Sequence, residues 1–528
     1  KGAEVILVDA GDYSQGTTYV STTKGADAVA MMNAAGYNVA TLGNHEFDYG
    51  YAQLKENMAK AGFKVLCADV FNADGTTIFD ANYTYTTKSG VKVGFFGMET
   101  PETQTKANPA LIKGLTFATG DAFTKAAADQ VAALKDADVV ICLAHLGVDA
   151  ESKPYTSYDL YSAVKGIDFI IDGHSHTVMD KGANGEPIQS TGTAFENIGV
   201  IVIDDATKKI ESNSLFAVDE NTAKDETVAA AAKVIVDRVD AEYGAVFAKS
   251  EVELNGAKAP NGNRDGETNN GDLITDAMVW KVLQNKDGLT VDTDHVVAIT
   301  NGGGIRAPIK VGDITKKDIN TVLPFGNTVA VVYVTGAQLL EALEASTYSL
   351  PVGGFPQVSG INFTIDTAKE FDAGDLYPGS TYHAPKSINR VTIDSINGKA
   401  FKADDTYAVV TNNFCAAGGD TYYAFAAATA QFDTGVPLDE AMMEYITTEL
   451  KGVIGAAYAA PQGRITIKAA PVVEPQPQPE PKPEPAPAPA GDSYTVVAGD
   501  CLWNIAYKLY GTGTLYTKLA EANKIADP

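Results

Sequence analysis

The stretch GNHEFD at residues 43–48 constrains this chain more than any other. It follows an apolar run over 37–42 that predicts a buried strand, and it precedes a helical pattern over 51–61. A polar loop is thereby set at the carboxyl end of a strand, where open α/β sheets place their ligands. Within it Asn44 offers a neutral oxygen, and His45 an imidazole that donates a proton or stabilises negative charge. Asp48 lies one turn on, where it either orients that imidazole or caps the following helix. One such loop is weak evidence, because short motifs mislead. The arrangement recurs, however. A strand over 4–8 runs out into Asp9-Ala10-Gly11-Asp12, one over 139–143 into Ala144-His145-Leu146-Gly147, and one over 169–171 into Asp172-Gly173-His174-Ser175-His176. The chain has 6 histidines, and four of them occupy these loops; His295 and His383 read as structural or surface residues. Strand ends of one sheet converge even when distant in sequence, so Asp12, Asn44, His145, His174 and His176 are candidate metal ligands.

Helical patterns over 24–35 and 121–135 alternate with strands over 65–68, 92–96 (entering a loop at 97–101) and 198–203, the last closing the sheet. This alternation predicts an α/β fold. Histidine, aspartate and asparagine without thiolates suit borderline or hard divalent ions, zinc or manganese. Two such ions bridged by one carboxylate, about 3.5–4 Å apart, clamp the attacking and leaving oxygens of a phosphoryl transfer. The cysteines do not enter this chemistry. Cys67 and Cys142 lie in apolar runs, as buried thiols do, Cys415 and Cys501 lie in separate segments, and no C-x-x-C pair exists. A formal net charge of −27 argues against sliding along nucleic acid. An anionic substrate must then be drawn by a local positive site. No apolar run is long enough to cross a bilayer.

The loops GD (11–12), GNHEFD, AHLG (144–147) and GHSH (173–176), in that order, resemble those of the dinuclear metallophosphoesterases, specifically the secreted bacterial 5′-nucleotidases. The resemblance implies that Asp12 bridges two divalent ions, that Asn44, His145 and His174 hold one, and that His176 holds the other. It implies that His45 with Asp48 forms the dyad that stabilises the transition state. The family's Asp-x-His motif, which supplies further ligands to the second ion, has no counterpart here. Lys1 leads almost at once into a strand with no initiator methionine or signal peptide, and Pro528 falls inside a small module. The expectation is a piece cut at both ends, with its second metal site incomplete.

A helical pattern over 225–243 leads to a second domain that carries Arg264 and, at 269–274, a turn into a helix. A strand over 296–299 leads to Thr300-Asn301-Gly302-Gly303-Gly304-Ile305-Arg306. The glycines allow close backbone approach to a ligand, and Arg306 suits a phosphate through two parallel hydrogen bonds. Phe325 and Phe414 each sit among small and polar residues, as two rings that sandwich a planar base would, and Asp420 suits ribose hydroxyls. The motifs NGGGIR, LPFGN and NF…GGD resemble the substrate-binding C-terminal domain of the same family, which extends the likeness to about Lys468. The resemblance implies that Arg264 and Arg306 hold phosphates, that Phe325 and Phe414 stack on the base, and that Asp420 binds ribose. Asn301 and Asn327 match polar positions near the base. Pro260 stands where some bacterial members carry a further arginine, which leaves a second phosphate contact open.

Residues 471–489 alternate proline with Glu, Gln, Lys and Ala, the composition of an extended spacer. The stretch YTVVAGDCLWNIA at 494–506, read as a strand, a Gly-Asp turn and a helix with Trp503 and Ile505, resembles a LysM domain. That implies binding of N-acetylglucosamine polymers such as peptidoglycan; Cys501 takes a position usually held by serine or threonine. The expected organisation is an α/β metallophosphoesterase sheet sandwich with flanking helices over 1–222 and a connecting helix over 223–248. A second α/β substrate-binding domain over 249–468, a Pro-rich linker over 469–492 and a partial LysM module over 493–528 complete it. The expected function is metal-dependent extracellular hydrolysis of nucleotide phosphates by a secreted, wall-attached protein, with no nucleic acid polymer as partner. A 2′,3′-cyclic nucleotide, a 3′-nucleotide or a UDP-sugar as substrate, and a wall-binding protein without activity, stay open as alternatives.

Overall fold

The computed structural model describes residues 3–468, 494–496, 500–510, 512 and 515–525. It divides into two compact units, Lys1–Ala470 and Pro471–Pro528.

The first half of the large unit is built on two sheets. The parallel strands Val8–Asp9, Val39–Thr41 and Lys64–Leu66 form one. The other has six strands in the order Val178–Met179, Ile188–Thr191, Phe169–Asp172, Val139–His145, Lys92–Glu99 and Asn82–Thr86. Its centre is parallel and its two edges antiparallel. Val139–His145 is buried along its whole length, as a parallel strand covered on both faces must be. Val39 and Leu66 from the small sheet share one core with Val93, Phe95, Ile141, Leu143 and Phe169 from the large one, so the sheets pack face to face. Helix Asp121–Ala133 covers the outer face of the large sheet through Phe123 and Ala127. Helices Ala26–Ala35 and Gly50–Met58 cover the small one through Val29, Met32, Leu54 and Met58. The layers run helix, sheet, sheet, helix, as the sandwich reading expects.

Helix Glu226–Tyr243, capped by the Asp225 carboxylate, touches both halves of the unit. Its Arg238 pairs with Asp27 and its Asp240 with Lys317 at 2.6 Å. Beyond it lies a five-stranded sheet in the order Pro356–Ser359, Val296–Asn301, Thr406–Asn412, Thr328–Thr335, Ala430–Pro437. Alternate residues of these strands face opposite sides, the two-residue period of an extended chain. Val296, Ala298, Val329, Val331, Ala408 and Val410 pack under helices Asn269–Leu283 and Leu438–Thr448. Val297, Ile299, Ala330, Val332 and Val409 pack under helix Gly336–Ala345. Apolar runs in these strands are therefore continuous rather than alternating, because both faces are covered.

Several boundaries differ from the sequence reading. The first strand pairs only at Val8–Asp9, not over 4–8. Lys92–Glu99 continues through Gly97, Met98 and Glu99, which were read as loop, because these residues pair with Leu143, Ala144 and His145. His145 accordingly ends its strand rather than following it. The strand Asn197–Asp204 does not close the sheet. It pairs only with Lys209–Ala217, and its Ile201 and Ile203 pack against the shared core. Residues 269–274 are helix from the first residue, since the Thr268 hydroxyl accepts the Gly271 N–H and caps it.

In the small unit, helices Leu502–Tyr510 and Tyr516–Ala522 pack together, with Trp503 and Tyr516 ring centroids 5.7 Å apart. Residues 494–496 carry no strand, and the remainder of that expected strand, with the linker over 469–492, lies outside the described residues. Among the described residues no helix is long and apolar enough to cross a membrane.

Candidate active site

The expected ligands leave their strands at one edge of the sandwich. Asp12, His145 and His174 bring one ligand atom each within 4.8 Å of one another. His145 Nδ1 donates to the Ala10 carbonyl at 2.7 Å, which turns its Nε2 to Asp12 Oδ2 at 3.0 Å, where it carries either a proton or a lone pair for a metal. That nitrogen is buried. His174 Nδ1 lies 3.0 Å from Asn44 Oδ1. Lone pairs converge here from four side chains, an arrangement that a cation or a proton must bridge. Burial works against the His145 imidazolium, yet the Asp12 carboxylate outweighs it and raises it to about 10. A metal bound here would therefore displace a proton, as metal binding to histidine commonly does. By donor type and spacing the four side chains fit a divalent ion. His176 lines the same cavity but stands outside the three-residue cluster. Burial, then Lys258, Arg306 and Arg264, pull it down to about 4, so it is neutral.

The loop conformations are unusual. Asp12, His174, His176 and Asp420 have φ of 65°, 71°, 56° and 50°, a region that side-chain-bearing residues enter at a cost and that gathers at functional sites.

His45 lies in a short 3₁₀ turn, Asn44–Phe47, closed by Asp48, a geometry in which side chains three apart eclipse. This sets His45 Nδ1 2.8 Å from Asp48 Oδ2. Burial disfavours the His45 cation, but Asp48 and Asp12 outweigh it and hold its pKa above the ordinary histidine value. The His45 N–H also donates to Asp12 Oδ1 at 2.9 Å.

The second half completes the pocket. One cavity is lined by Asp12, Asn44, His45, Asp48, His174 and His176 from the first half and by Arg264, Asn301, Arg306, Phe325, Asn327, Phe414 and Asp420 from the second. His145 is buried beneath it. The two expected stacking rings are not paired with each other among the described ring contacts. Phe325 lies 5.6 Å from the His45 ring and 5.6 Å from the Arg306 guanidinium. The Phe414 ring lies so close to Gly419 that any side chain there would strike it. Asp420 accepts from Asn301 Nδ2 at 2.8 Å and lies 3.9 Å from the Lys106 ammonium. Asn301 Oδ1 in turn accepts from Asn412 at 3.0 Å, so both ends of the Asn301 amide are committed to protein.

Other residues in this region carried no sequence role. Glu46 accepts backbone N–H groups from Asp12, Ser14 and Gly43 at 2.7, 2.9 and 2.6 Å, tying two ligand loops together. Lys106 pairs with Glu151 at 2.8 Å. Lys258 lines the cavity with Arg264 and Arg306, where the sequence offered only Pro260. Glu102 meets His174 Nε2 at 2.8 Å.

Residues 246–427 match the 5′-nucleotidase C-terminal domain, residues 3–182 a bacterial capsule synthesis protein family, PGA_cap, and residues 494–528 the LysM domain. The trifunctional nucleotide phosphoesterase protein YfkN of Bacillus subtilis is 32% identical over 87% of this chain. The chain spans 32% of that relative's length. Human 5′-nucleotidase is 29% identical over 87% of the chain and 82% of its own length. The crystal structure of a 5′-nucleotidase precursor from Thermus thermophilus superposes with a TM-score of 0.72 at 28% identity, covering 88% of this chain and 90% of that one. Sequence and fold thus point the same way: the chain carries the 5′-nucleotidase C-terminal domain and a LysM domain, and over most of its length it is similar to 5′-nucleotidases.

Proposed function

We propose that the chain is a metal-dependent nucleotide phosphohydrolase of the 5′-nucleotidase type, acting outside the cell and held to peptidoglycan by its LysM domain. The reading rests on one observation: a single cavity joins Asp12, Asn44 and His174, with His145 clustered against Asp12 and His174, to the cations Arg264 and Arg306 and the rings Phe325 and Phe414. A divalent ion held there, zinc or manganese, would supply positive charge against phosphoryl oxygens and acidify a water; His176 would help to hold a second ion. Arg264 and Arg306 bind and orient the phosphate, overcoming the chain's net charge of −27 locally. His45, held by Asp48, places a proton against the oxygen on which charge develops. Phe325 and Phe414 take the base, Asp420 the ribose, and Asn301 and Asn327 line the base end.

A substrate panel on the full-length protein with added zinc or manganese tests the reading. Hydrolysis of AMP above 2′,3′-cyclic AMP and UDP-glucose is expected; the reverse order would move the assignment to cyclic nucleotides or UDP-sugars. Phe414→Ala is expected to cost about 1–3 kcal/mol of nucleotide binding, the range for a base on an aromatic ring, read as a rise in KM. An artificial phosphate ester without a base should be hydrolysed unchanged. Equal losses on both substrates would make Phe414 a core residue.

The wall attachment has its own test. Removing residues 493–528 is expected to abolish pull-down by purified peptidoglycan and to leave phosphate release in solution intact. Undiminished pull-down would remove LysM from the assignment.

A further inference from the structure

We propose that Glu102 is a positioning residue for the metal site, fixing through its hydrogen bond which nitrogen of His174 faces the ion. The inference rests on the metal-dependent reading above and extends it to a residue outside the motif loops.

Glu102 lies just before the short helix Thr103–Lys106, at the carboxyl end of strand Lys92–Glu99. Its side chain is 4% exposed, and Oε2 stands 2.8 Å from His174 Nε2. A carboxylate oxygen accepts, so the ring proton belongs on Nε2. The lone pair of Nδ1 then faces Asn44 Oδ1 at 3.0 Å. Two acceptors at that distance repel unless a cation lies beside both. The same logic operates at His145, where the Ala10 carbonyl takes the Nδ1 proton and turns Nε2 toward Asp12. Each histidine thus has one nitrogen fixed by a protein acceptor and the other aimed at the cluster. Carboxylate or carbonyl partners of this kind set the tautomer and raise ligand basicity, and their loss commonly weakens metal binding 10- to 100-fold.

The support of Glu102 is itself rigid. Its carbonyl accepts the Lys106 N–H at 2.8 Å. The Lys106 ammonium is anchored to Glu151, and the preceding Thr105 carbonyl accepts the Asp420 N–H at 2.6 Å from the other half of the unit. A site residue on a segment pinned at both ends holds its geometry better than one on a free loop.

The test is a zinc titration of the stripped full chain against a competing chromophoric chelator, for the parent protein, Glu102→Ala and Glu102→Gln. Glu102→Ala should bind zinc about 10- to 100-fold more weakly. Glu102→Gln, which keeps an acceptor oxygen, should fall between it and the parent. At saturating zinc Glu102→Ala should regain kcat with an unchanged nucleotide KM, and metal-free Glu102→Ala should melt at the parent's temperature. Parent-like zinc affinity in Glu102→Ala would overturn the proposal, and so would a lowered melting point of the metal-free variant, which would make Glu102 a scaffold residue. A parent protein that binds no zinc or manganese would instead overturn the metal reading itself. The binding measurement needs no nucleotide, so it is separate from the choice of substrate.

Discussion

His45→Ala is expected to lower kcat about 10²- to 10³-fold on nucleotide and on a base-free phosphate ester alike, the cost of losing one charge-stabilising donor. The loss should fall on kcat and leave bound metal unchanged. His45 touches Asp12 through its backbone N–H, which alanine keeps, while its ring points to Asp48 and the cavity. Asp48→Asn should cost less, because an amide oxygen still accepts from Nδ1 and only the charge is lost. Steady-state kinetics with metal analysis by mass spectrometry checks both variants. A His45→Ala protein with near-parental kcat would remove the dyad from the chemistry. One that has lost its metal would make His45 part of the metal shell.

The convergence of these loops was legible because their chemistry and their topology coincide. Asp12, Asn44, His145 and His174 sit at or just past strand ends, and strands of packed sheets bring their ends together whatever the loops contain. Glu46 was not legible as a loop tie, although it belongs to the most informative motif. Its partners Asp12 and Ser14 lie 34 and 32 residues away, and only the folded backbone shows three N–H groups aimed at one carboxylate. Glu102 was missed for a different reason. The strand before it runs to Glu99, beyond the boundary at 96 that its apolar pattern suggested, because those last residues pair with the strand ending in His145. A strand traced to its true end would have placed Glu102 with the other strand-end residues. In the second half, side chains set apart by composition do reach the cavity, but their partners were hidden. Phe325 turns to His45 and Arg306 rather than to Phe414, and Asp420 meets Asn301 and Lys106. These are contacts across a fold, with no local signal in the chain.

Gly43→Ala is expected to damage the metal cluster more than removal of any hydrogen-bonding neighbour. The backbone at Gly43 is extended, with φ −117° and ψ 177°, so alanine meets no conformational penalty there. The obstacle is space. A Cβ at this position would stand 2.7 Å from the Asp12 backbone nitrogen and 2.8 Å from His145 Cε1, and closer still to the Asp12 carboxylate. None of these neighbours can yield. The Asp12 N–H is held by Glu46 at 2.7 Å, the Asp12 carboxylate by the His45 N–H at 2.9 Å, and the His145 ring by the Ala10 carbonyl at 2.7 Å. Overpacking of a tight site costs about 1–3 kcal/mol of stability. Here the displaced atoms belong to the proposed metal ligands, and productive sites tolerate shifts of only about 0.5 Å. Metal affinity should therefore fall by more than about 100-fold, beyond the range for loss of an outer partner, and kcat should fall with it. The variant's melting point should drop while its circular dichroism stays native. A Gly43→Ala protein that binds zinc as tightly as the parent would mean that the two loops move apart freely, and that the close packing of Asp12 on Gly43 does not set the ligand geometry.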